Sequence, residues 1–238
     1  MKARAKALRE NQHSITRDFS HGLSVRSHNG IMTHITSYAH IKHQRLSANG
    51  TLLFDGGSSG SLPGFLTDAY KALGMSYPKY HKMDALCKLG MLCMEAALKE
   101  SELLTTYPAD KIAIVLSNAA SSLDTDRAHQ ASIQDKANYF PSPAVFVYTL
   151  PNIVIGEIAI KYKITGENAF FVSERFDAGL LLNYLEALFH GETQAAVCGW
   201  VEADGDAAEA FIFLVEKSNK NSNFKPLNQE AITELYNQ

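Results

Sequence analysis

A short turn, Ser173-Glu174-Arg175-Phe176, is the part of this sequence best placed to carry out chemistry. It follows Ala169–Val172, whose apolar and aromatic residues predict a short buried strand. It precedes a predicted helix, closed by His190-Gly191, with an apolar stripe at helical spacing: Leu181, Leu182, Leu185, Leu188 and Phe189. The start of a helix offers free N–H groups and a positive dipole end to a developing anion. A tight strand–turn–helix of this kind is typical of places where α/β enzymes hold a nucleophile.

The side chains of the turn are weak candidates for nucleophilic catalysis. Ser173 has no histidine base in the motif, Glu174 is a poor acyl acceptor, and Arg175 cannot accept an acyl group. Three cysteines lie in apolar stretches, where a buried thiol has a raised pKa and low reactivity: Cys87, Cys93 and Cys198. An odd number of cysteines without a disulfide-like framework predicts reduced thiols in the cytoplasm.

Three histidines near the start of the predicted fold raise the question of a metal site. The alternation in Met32–Lys42 predicts the first strand, with His34 and His40 on one face and His43 on the other. No cysteine or carboxylate completes a ligand set. Asp55–Gly64 is rich in glycine but lacks the ending of a phosphate-binding loop. We predict that the histidines face solvent, and that the protein binds no metal and no cofactor.

The composition is that of an ordinary globular domain. The chain has 238 residues, 46% hydrophobic and 20% charged, with a net charge of −3. This length allows a sizeable core, and the charge gives no sign of nucleic acid or an anionic membrane as a partner. No apolar run is long enough to span a bilayer, and no signal peptide is evident. We therefore predict a cytoplasmic protein that binds neither nucleic acid nor membrane.

Strands and helices alternate along the chain, which predicts an α/β fold with helices packed on a mixed sheet. Four strands are predicted near apolar positions: Ile35, Ile112, Phe170 and Val197. An antiparallel strand at one side of the sheet, Ala208–Val215, is predicted to follow the hairpin turn Asp204-Gly205-Asp206. The first long helix is predicted over Tyr80–Ser101, with one buried stripe: Met83, Leu86, Cys87, Gly90, Met91, Met94, Ala97 and Leu98.

The other predicted segments are shorter, and turn residues mark several of their ends. In order, they are a helix or turn over Phe65–Leu73, a helix over Asp124–Gln134 capped by Ser122 or Asp124, a helix from Ile153 ended by a left-handed cap at Thr165-Gly166, a polar linker over Lys217–Asn223 and a helix over Asn228–Tyr236.

Several short motifs occur in a characteristic order around the turn. They are Pro141-Ser142-Pro143, Leu150-Pro151-Asn152, Gly166-Glu167-Asn168 and Gly199-Trp200-Val201-Glu202-Ala203. In this order they resemble the beta-ketoacyl synthase family, which has the thiolase-like fold, over about residues 32–216. The chain is similar in particular to the short N-terminal-like members and to chain length factors. The resemblance implies an α/β fold that is a thiolase-like half, a mixed sheet with helices packed on it.

The resemblance also implies a catalytic cysteine in the turn, and here the chain departs from the family. Aligned from Gly166, the cysteine position falls at Arg175, or at Glu174 or Phe176 if the register slips. In the family a second, similar half carries two histidines that stabilise the enolate, and they have no counterpart here. Condensation needs a thiolate and neutral hydrogen-bond donors. We therefore predict no catalytic residue and interpret Ser173–Phe176 as a degenerate active-site turn.

The resemblance favours a non-catalytic ketosynthase-like subunit, similar to a chain length factor, in type II fatty-acid, polyketide or aryl-polyene biosynthesis. Two alternatives stay open. One is an active 3-oxoacyl-acyl-carrier-protein synthase or acyltransferase that uses Ser173 or Cys198. The other is a scaffold or binding module outside acyl chemistry, since one fold serves many functions. The expected partner is a second copy or a full-length ketosynthase, with an acyl carrier protein as a further candidate.

In the resembling family, the strand before the cysteine turn pairs with its copy across a two-fold axis. The matching residues here are Asn168, Phe170 and Phe171, with the two phenylalanines on opposite faces. An unpaired apolar edge is an aggregation hazard, and no charge or proline interrupts Ala169–Val172. The resemblance therefore predicts a homodimer, or a heterodimer with a ketosynthase, through this strand.

The resemblance divides the chain into three parts. Residues 1–31 are basic and lack apolar periodicity, which predicts a disordered extension or a basic arm for an acidic carrier protein, with Met1 or Met32 as the native start. Residues 32–216 form the ketosynthase-like domain. Residues 217–238 are a polar linker and the terminal helix.

Overall fold

A computed structural model describes residues 32–57, 60–137, 139–205, 207–218 and 224–238. The predicted basic extension, residues 1–31, lies outside them. In chain order the elements are β1 (Met32–Lys42), β2 (Arg45–Ala48), β3 (Thr51–Asp55), α1 (Leu62–Ala72), α2 (Ala85–Leu98), α3 (Leu103–Thr106), β4 (Ile112–Asn118), α4 (Leu123–Ile133), α5 (Pro143–Val147), α6 (Ile153–Tyr162), β5 (Asn168–Val172), α7 (Ala178–His190), β6 (Ala195–Asp204), β7 (Ala207–Ser218), β8 (Lys225–Pro226) and α8 (Gln229–Tyr236).

The strands form one mixed sheet in the order β3-β2-β1-β7-β6-β4-β5, with β8 paired to β1. β4 runs parallel to β5 and to β6, whereas β6 and β7 are antiparallel. The predicted α/β fold with a mixed sheet is confirmed. The prediction that the strand near Phe213 lies at one side of the sheet is wrong, because β1 continues the sheet beyond β7.

Three tight hairpins shape the sheet, and two of them were not predicted. β1 turns into β2 through His43-Gln44, both with positive φ (49° and 56°). Asp204 pairs with Ala207, so β6 turns into β7 through a two-residue loop in which Gly205 has a φ of 60°. β2 and β3 are joined at Asn49-Gly50, both with positive φ (49° and 77°). Asn-Gly is the strongest short hairpin signal in a sequence, so this hairpin was readable from the residues alone.

The first long helix packs on one face of the sheet. Its predicted start at Tyr80 is a short 3-10 helix, and α2 itself begins after Asp84, whose carboxylate accepts a hydrogen bond from Cys87 N at 2.9 Å. One buried stripe was predicted, but α2 is buried on nearly all sides because α1 and α6 flank it. The additional buried positions are Leu89, Leu92, Cys93 and Ala96.

The opposite face of the sheet is covered by α7 and α8, so the domain has three layers. α8 begins after Asn228, whose side chain caps Ala231 N at 2.8 Å. Burial of Ile232 and Leu235 stabilises the fold by about 1.5–3 kcal/mol each. The predicted polar linker from Lys217 starts instead as the end of β7, which runs to Ser218, and residues 219–223 lie outside the described ones.

The end of α6 differs from the prediction. Its left-handed C-cap is Lys163, with a φ of 58°, and not Gly166. Gly166 is required for another reason, because a Cβ there would lie 2.3 Å from Ile112 O. Glycine thus lets the loop before β5 pass against the start of β4. No helix among the described residues is long and apolar enough to cross a membrane.

Candidate functional site

The turn lies where β5 ends and α7 begins, at the edge of the sheet. Ser173 N donates to Asn118 O at 2.9 Å, which ties the start of the turn to the end of β4. Asp177 is the N-cap of α7, and its carboxylate accepts from Leu180 N at 2.9 Å. Both Glu174 and Asp177 therefore precede the first residue of α7, Ala178.

The polar side chains of the turn form no nucleophile–base pair with the described residues. Ser173 Oγ donates to Arg175 O at 2.9 Å, so its proton is engaged by the backbone. Glu174 and Arg175 are exposed, and Arg175 makes no ion pair with the described carboxylates. The Asp177 carboxylate already occupies the positive end of α7, where an oxyanion would otherwise be stabilised.

Phe176 points into the domain and joins an aromatic cluster. Its ring stacks on Tyr236 of α8, with centroids 3.9 Å apart and an angle of 17° between the ring planes. It meets Trp200 edge-on at 6.2 Å and Phe211 edge-on at 5.9 Å. We call Phe176, Trp200, Phe211 and Tyr236 the aromatic cluster. It anchors the turn to α8, a contact that sequence reasoning missed.

Lys42 and His40 of β1 lie at the C-terminal end of α8. Lys42 Nζ donates to Tyr236 O, and the His40 ring lies near the Leu235 backbone. His40 is 5% exposed and stacks on Phe211 at 4.7 Å, so the prediction that it faces solvent is wrong. Burial first, and then the nearby Lys42 charge, lowers the pKa of His40 to about 4. His40 is therefore neutral at neutral pH.

The loop after β4 lies beside the turn and is held from two sides. The Asn118 side chain accepts from Ser121 N at 3.0 Å and donates to Ser121 O at 2.7 Å. The Glu202 carboxylate accepts from Ala119 N at 2.7 Å and from Ala120 N at 3.2 Å. Sequence reasoning assigned no role to Glu202, although it belongs to the Gly199–Ala203 motif. Its role here is to position the loop.

The three cysteines are free and buried. Burial is the main cause that raises the thiol pKa of each one above its usual range: Cys87, Cys93 and Cys198. Cys93 Sγ also bonds to Ala39 O at 3.2 Å. A thiol that stays protonated inside the core is a poor nucleophile. The predicted inertness of the cysteines thus agrees with where they lie.

Two clefts lie away from the turn. One, of about 510 Å³, is lined by the starts of β4 and β5 and the end of α7, with Asp110, Lys111 and Glu192. The other, of about 870 Å³, lies beside the end of β1 and is lined by Lys42, Glu202 and Glu209. Across the described ranges, no three His, Cys, Asp or Glu side chains are grouped so as to hold a metal ion.

β5 is an edge strand rather than a buried one. Val172 is 57% exposed, and Asn168 is exposed as well. Phe170 and Phe171 are half-buried on opposite faces, as predicted. Phe171 meets Tyr184 of α7 edge-on at 5.1 Å. The strand is exposed because the sheet order ends at β5 within the described residues.

Comparisons with solved structures identify the fold. The ishigamide ketosynthase/chain length factor superposes with a TM-score of 0.61 at 19% identity, covering 82% of this chain and 64% of that one. The ketosynthase ApeO with its chain length factor ApeC, from Xenorhabdus doucetiae, gives 0.54 at 14% identity, covering 87% and 90%. The type II polyketide complex AntDE:AntF, with its acyl carrier protein, gives 0.55 at 13% identity, covering 86% and 65%.

The chain spans slightly less than two thirds of the ishigamide and AntDE:AntF chains that it matches. No curated protein sequence is significantly similar to it. The family model described as beta-ketoacyl synthase, N-terminal domain, matches residues 54–219, which is most of the chain. The chain therefore belongs to the beta-ketoacyl synthase family, through its N-terminal domain.

Proposed function

We propose that this chain is a non-catalytic, chain-length-factor-like subunit that pairs with a full-length ketosynthase in type II biosynthesis of fatty acids, polyketides or aryl polyenes. The observation that carries the proposal is the chemistry of the turn. At the place where the family holds its cysteine, Ser173 Oγ is engaged by Arg175 O, and Glu174 and Arg175 point to solvent. Such a turn offers no activated nucleophile.

The likeness to two-chain assemblies supports the same role. The ishigamide and ApeO–ApeC structures are named as ketosynthase with chain length factor, and AntDE:AntF as a ketosynthase with its carrier protein. The matched chain of the ApeO–ApeC complex is covered to 90%, so a chain of about this size takes part in such a complex. The exposed edge of β5 is the surface we assign to the ketosynthase partner.

The alternative of an active enzyme finds less support. Cys198 is fully buried in β6, and burial raises the pKa of its thiol. Ser173 lacks a contacting histidine among the described residues. Neither residue has the adjacent base that activates a nucleophile.

Co-expression with a full-length ketosynthase from the same organism tests the proposal. We expect the two chains to co-purify as a complex, and we expect the ketosynthase to gain condensing activity or a changed product length. Incubated alone with malonyl or fatty acyl carrier protein, this chain should carry no acyl label in intact-mass spectra. An acyl adduct on the isolated chain, or a ketosynthase that ignores it, contradicts the proposal.

A further inference from the structure

The C-terminal helix α8 is a small element that depends on its contacts with the rest of the chain. Its eight residues, Gln229–Tyr236, are too few for a helix that is stable alone. Three buried side chains, Ala231, Ile232 and Leu235, join the core cluster shared with β7 and α7. Before α8, β8 pairs with β1 and fixes the chain at Pro226. Detachment of α8 therefore requires no movement of any strand.

The side chain of Tyr236 links α8 to two other elements. Its hydroxyl donates to Glu209 Oε1 of β7 at 2.8 Å. Its ring stacks on Phe176, and this is the closest of the aromatic contacts that Phe176 makes, at 3.9 Å against 5.9 Å to Phe211 and 6.2 Å to Trp200. Because Phe176 is the last residue of the turn, the position of the turn depends on α8.

Two polar atoms beneath α8 and Phe176 have no hydrogen-bond partner among the described residues. They are His40 Nε2, in a ring that lies near the Leu235 backbone, and Trp200 Nε1, in a ring that meets Phe176 edge-on. The two side chains are 5% and 3% exposed. A buried polar atom without a partner raises the free energy of the state that buries it, and contact with water removes that cost. The docked state of α8 therefore carries a cost that detachment relieves.

We propose that α8 is a latch that detaches from the sheet as a unit while the strands stay folded, and that its docking orders the turn through the Tyr236–Phe176 stack. Elements with few buried side chains open locally in this way, below the free energy of global unfolding. Docked α8 holds Phe176 in the aromatic cluster. Detached α8 releases Phe176 and gives water access to His40 and Trp200. The latch works within one chain, so it does not depend on the pairing with a ketosynthase proposed above.

Hydrogen exchange of individual amides in the full chain, measured by NMR at about pH 7, tests the latch. We expect the amides of α8 and the Ser173 amide, which donates to Asn118 O, to exchange at least about tenfold faster than those of β6, after correction for intrinsic rates. Low urea should change the exchange rates of α8 little, because detachment exposes little surface, and should raise the exchange rates of β6.

Two matched isoleucine variants separate detachment of α8 from global unfolding. Ile232 in α8 and Ile158 in α6 are both fully buried, on opposite faces of the sheet. Ile232→Val weakens the docking of α8 and should speed the exchange of α8 and of Ser173 by about two- to tenfold. Ile158→Val should leave those rates unchanged and speed the exchange of β6, because Ile158 stays packed when α8 detaches. Equal acceleration of α8 by both variants, or α8 amides as slow as those of β6, overturns the latch.

A second pair of variants tests the coupling between α8 and the turn. Since coupling is reciprocal, Phe176→Leu should speed the exchange of α8 by about two- to tenfold through loss of the stack. Phe171→Leu is the matched control: Phe171 is a half-buried ring that packs on Tyr184 of α7, and its substitution should leave the exchange of α8 unchanged. Exchange of α8 that ignores Phe176→Leu, or exchange of Ser173 that ignores Ile232→Val, shows that α8 does not order the turn and contradicts the latch.

Discussion

At the scale of single residues, each side chain of the turn has a structural partner or faces solvent. Asp177 satisfies the start of α7, and Phe176 is anchored in the aromatic cluster. Ser173 bonds within the turn itself. The Asp177 cap occupies the helix N–H groups that would stabilise an oxyanion, and the Ser173 hydroxyl is bonded to the backbone and not to a base. Under the proposed function, a cysteine in this turn would therefore not be enough for catalysis.

The proposed function predicts that a cysteine placed in the turn does not by itself give condensing activity. Arg175→Cys and Glu174→Cys should both place an exposed thiol in the turn, which labelling with iodoacetamide verifies. Neither variant should form a condensation product from acyl and malonyl carrier proteins, because the resemblance places the histidine pair that stabilises the enolate in a second half of the fold, outside the described residues. Product detected by mass spectrometry above the level of the unmodified chain would falsify this prediction.

His40 gives a prediction about pH. Its pKa is about 4 in the folded protein and 6.5 in an exposed histidine, so the unfolded chain binds more protons between those values. The free energy of unfolding should therefore fall as the pH drops from 6.5 to 4, by about 3 kcal/mol from this group. The nearby charge of Lys42 acts in the same direction.

Urea unfolding at pH 4 to 7 measures this dependence. His40→Phe keeps a ring against Phe211 and removes the titration, so the variant should lose that part of the slope. His43→Asn is the matched control, because His43 is exposed and asparagine tolerates its φ of 49°. Equal slopes for His40→Phe and the unmodified chain would show that His40 does not couple folding to pH.

At the scale of elements, close backbone contacts fix the path from α6 through β5 to the turn. Gly166 lets the loop pass close to Ile112 at the start of β4. The hydrogen bond from Ser173 N to Asn118 O fixes the other end of β5 beside the end of β4. Between these points β5 pairs in parallel with β4, from Asn168 opposite Ile114 to Val172 opposite Asn118. The register of β5, and so the position of the turn, depends on both ends.

Two glycine substitutions test the path of this loop. Gly166→Ala brings a methyl group against the backbone of Ile112, which cannot move aside, and should lower the free energy of unfolding by about 1–3 kcal/mol. Gly156→Ala, in the open flank of α6, should raise it by about 0.5–1 kcal/mol through helix propensity. Chemical denaturation of both variants gives the comparison. A Gly166→Ala protein as stable as Gly156→Ala would contradict the close approach.

At the scale of the whole molecule, the sheet is covered on its faces and open at the β5 edge. α1, α2 and α6 bury one face, and α7 and α8 bury the other. Beyond β5 the described chain supplies no further strand. An edge of this kind adds a strand from a partner most readily.

Under the proposed function, a charged residue at the β5 edge should disrupt pairing with the ketosynthase partner, and equally with a second copy of this chain. Val172→Asp is the cleaner variant, because Val172 is 57% exposed and its substitution should change monomer stability by about 0.5 kcal/mol or less. Phe171→Asp should abolish pairing and also destabilise the monomer by about 2–4 kcal/mol, since Phe171 packs on Tyr184. Light scattering and thermal unfolding separate the two effects. Glu230→Gln, on the exposed surface of α8, should leave both readouts unchanged, and full association of Val172→Asp would rule out this edge.

The sequence by itself determined the elements whose pattern is local. Alternation predicted β1 with its observed bounds, Asp-Gly predicted the β6–β7 hairpin, and the apolar stripe closed by Gly191 predicted α7. The turn and its lack of a cysteine were likewise readable, because strand, turn and helix are consecutive in the chain. These features depend on residues that are neighbours in the chain, so their spacing can be read directly from the sequence.

Only the tertiary structure decided which surfaces are covered. His40 alternates along β1 like a solvent-facing residue, yet α8, from the far end of the chain, buries it. β5 is as apolar as a central strand, yet it lies at the edge because the chain returns to place β6 on the other side of β4. Burial depends on residues distant in sequence, and strand order depends on the path of the connections between strands. Neither is encoded in the local period of a single segment.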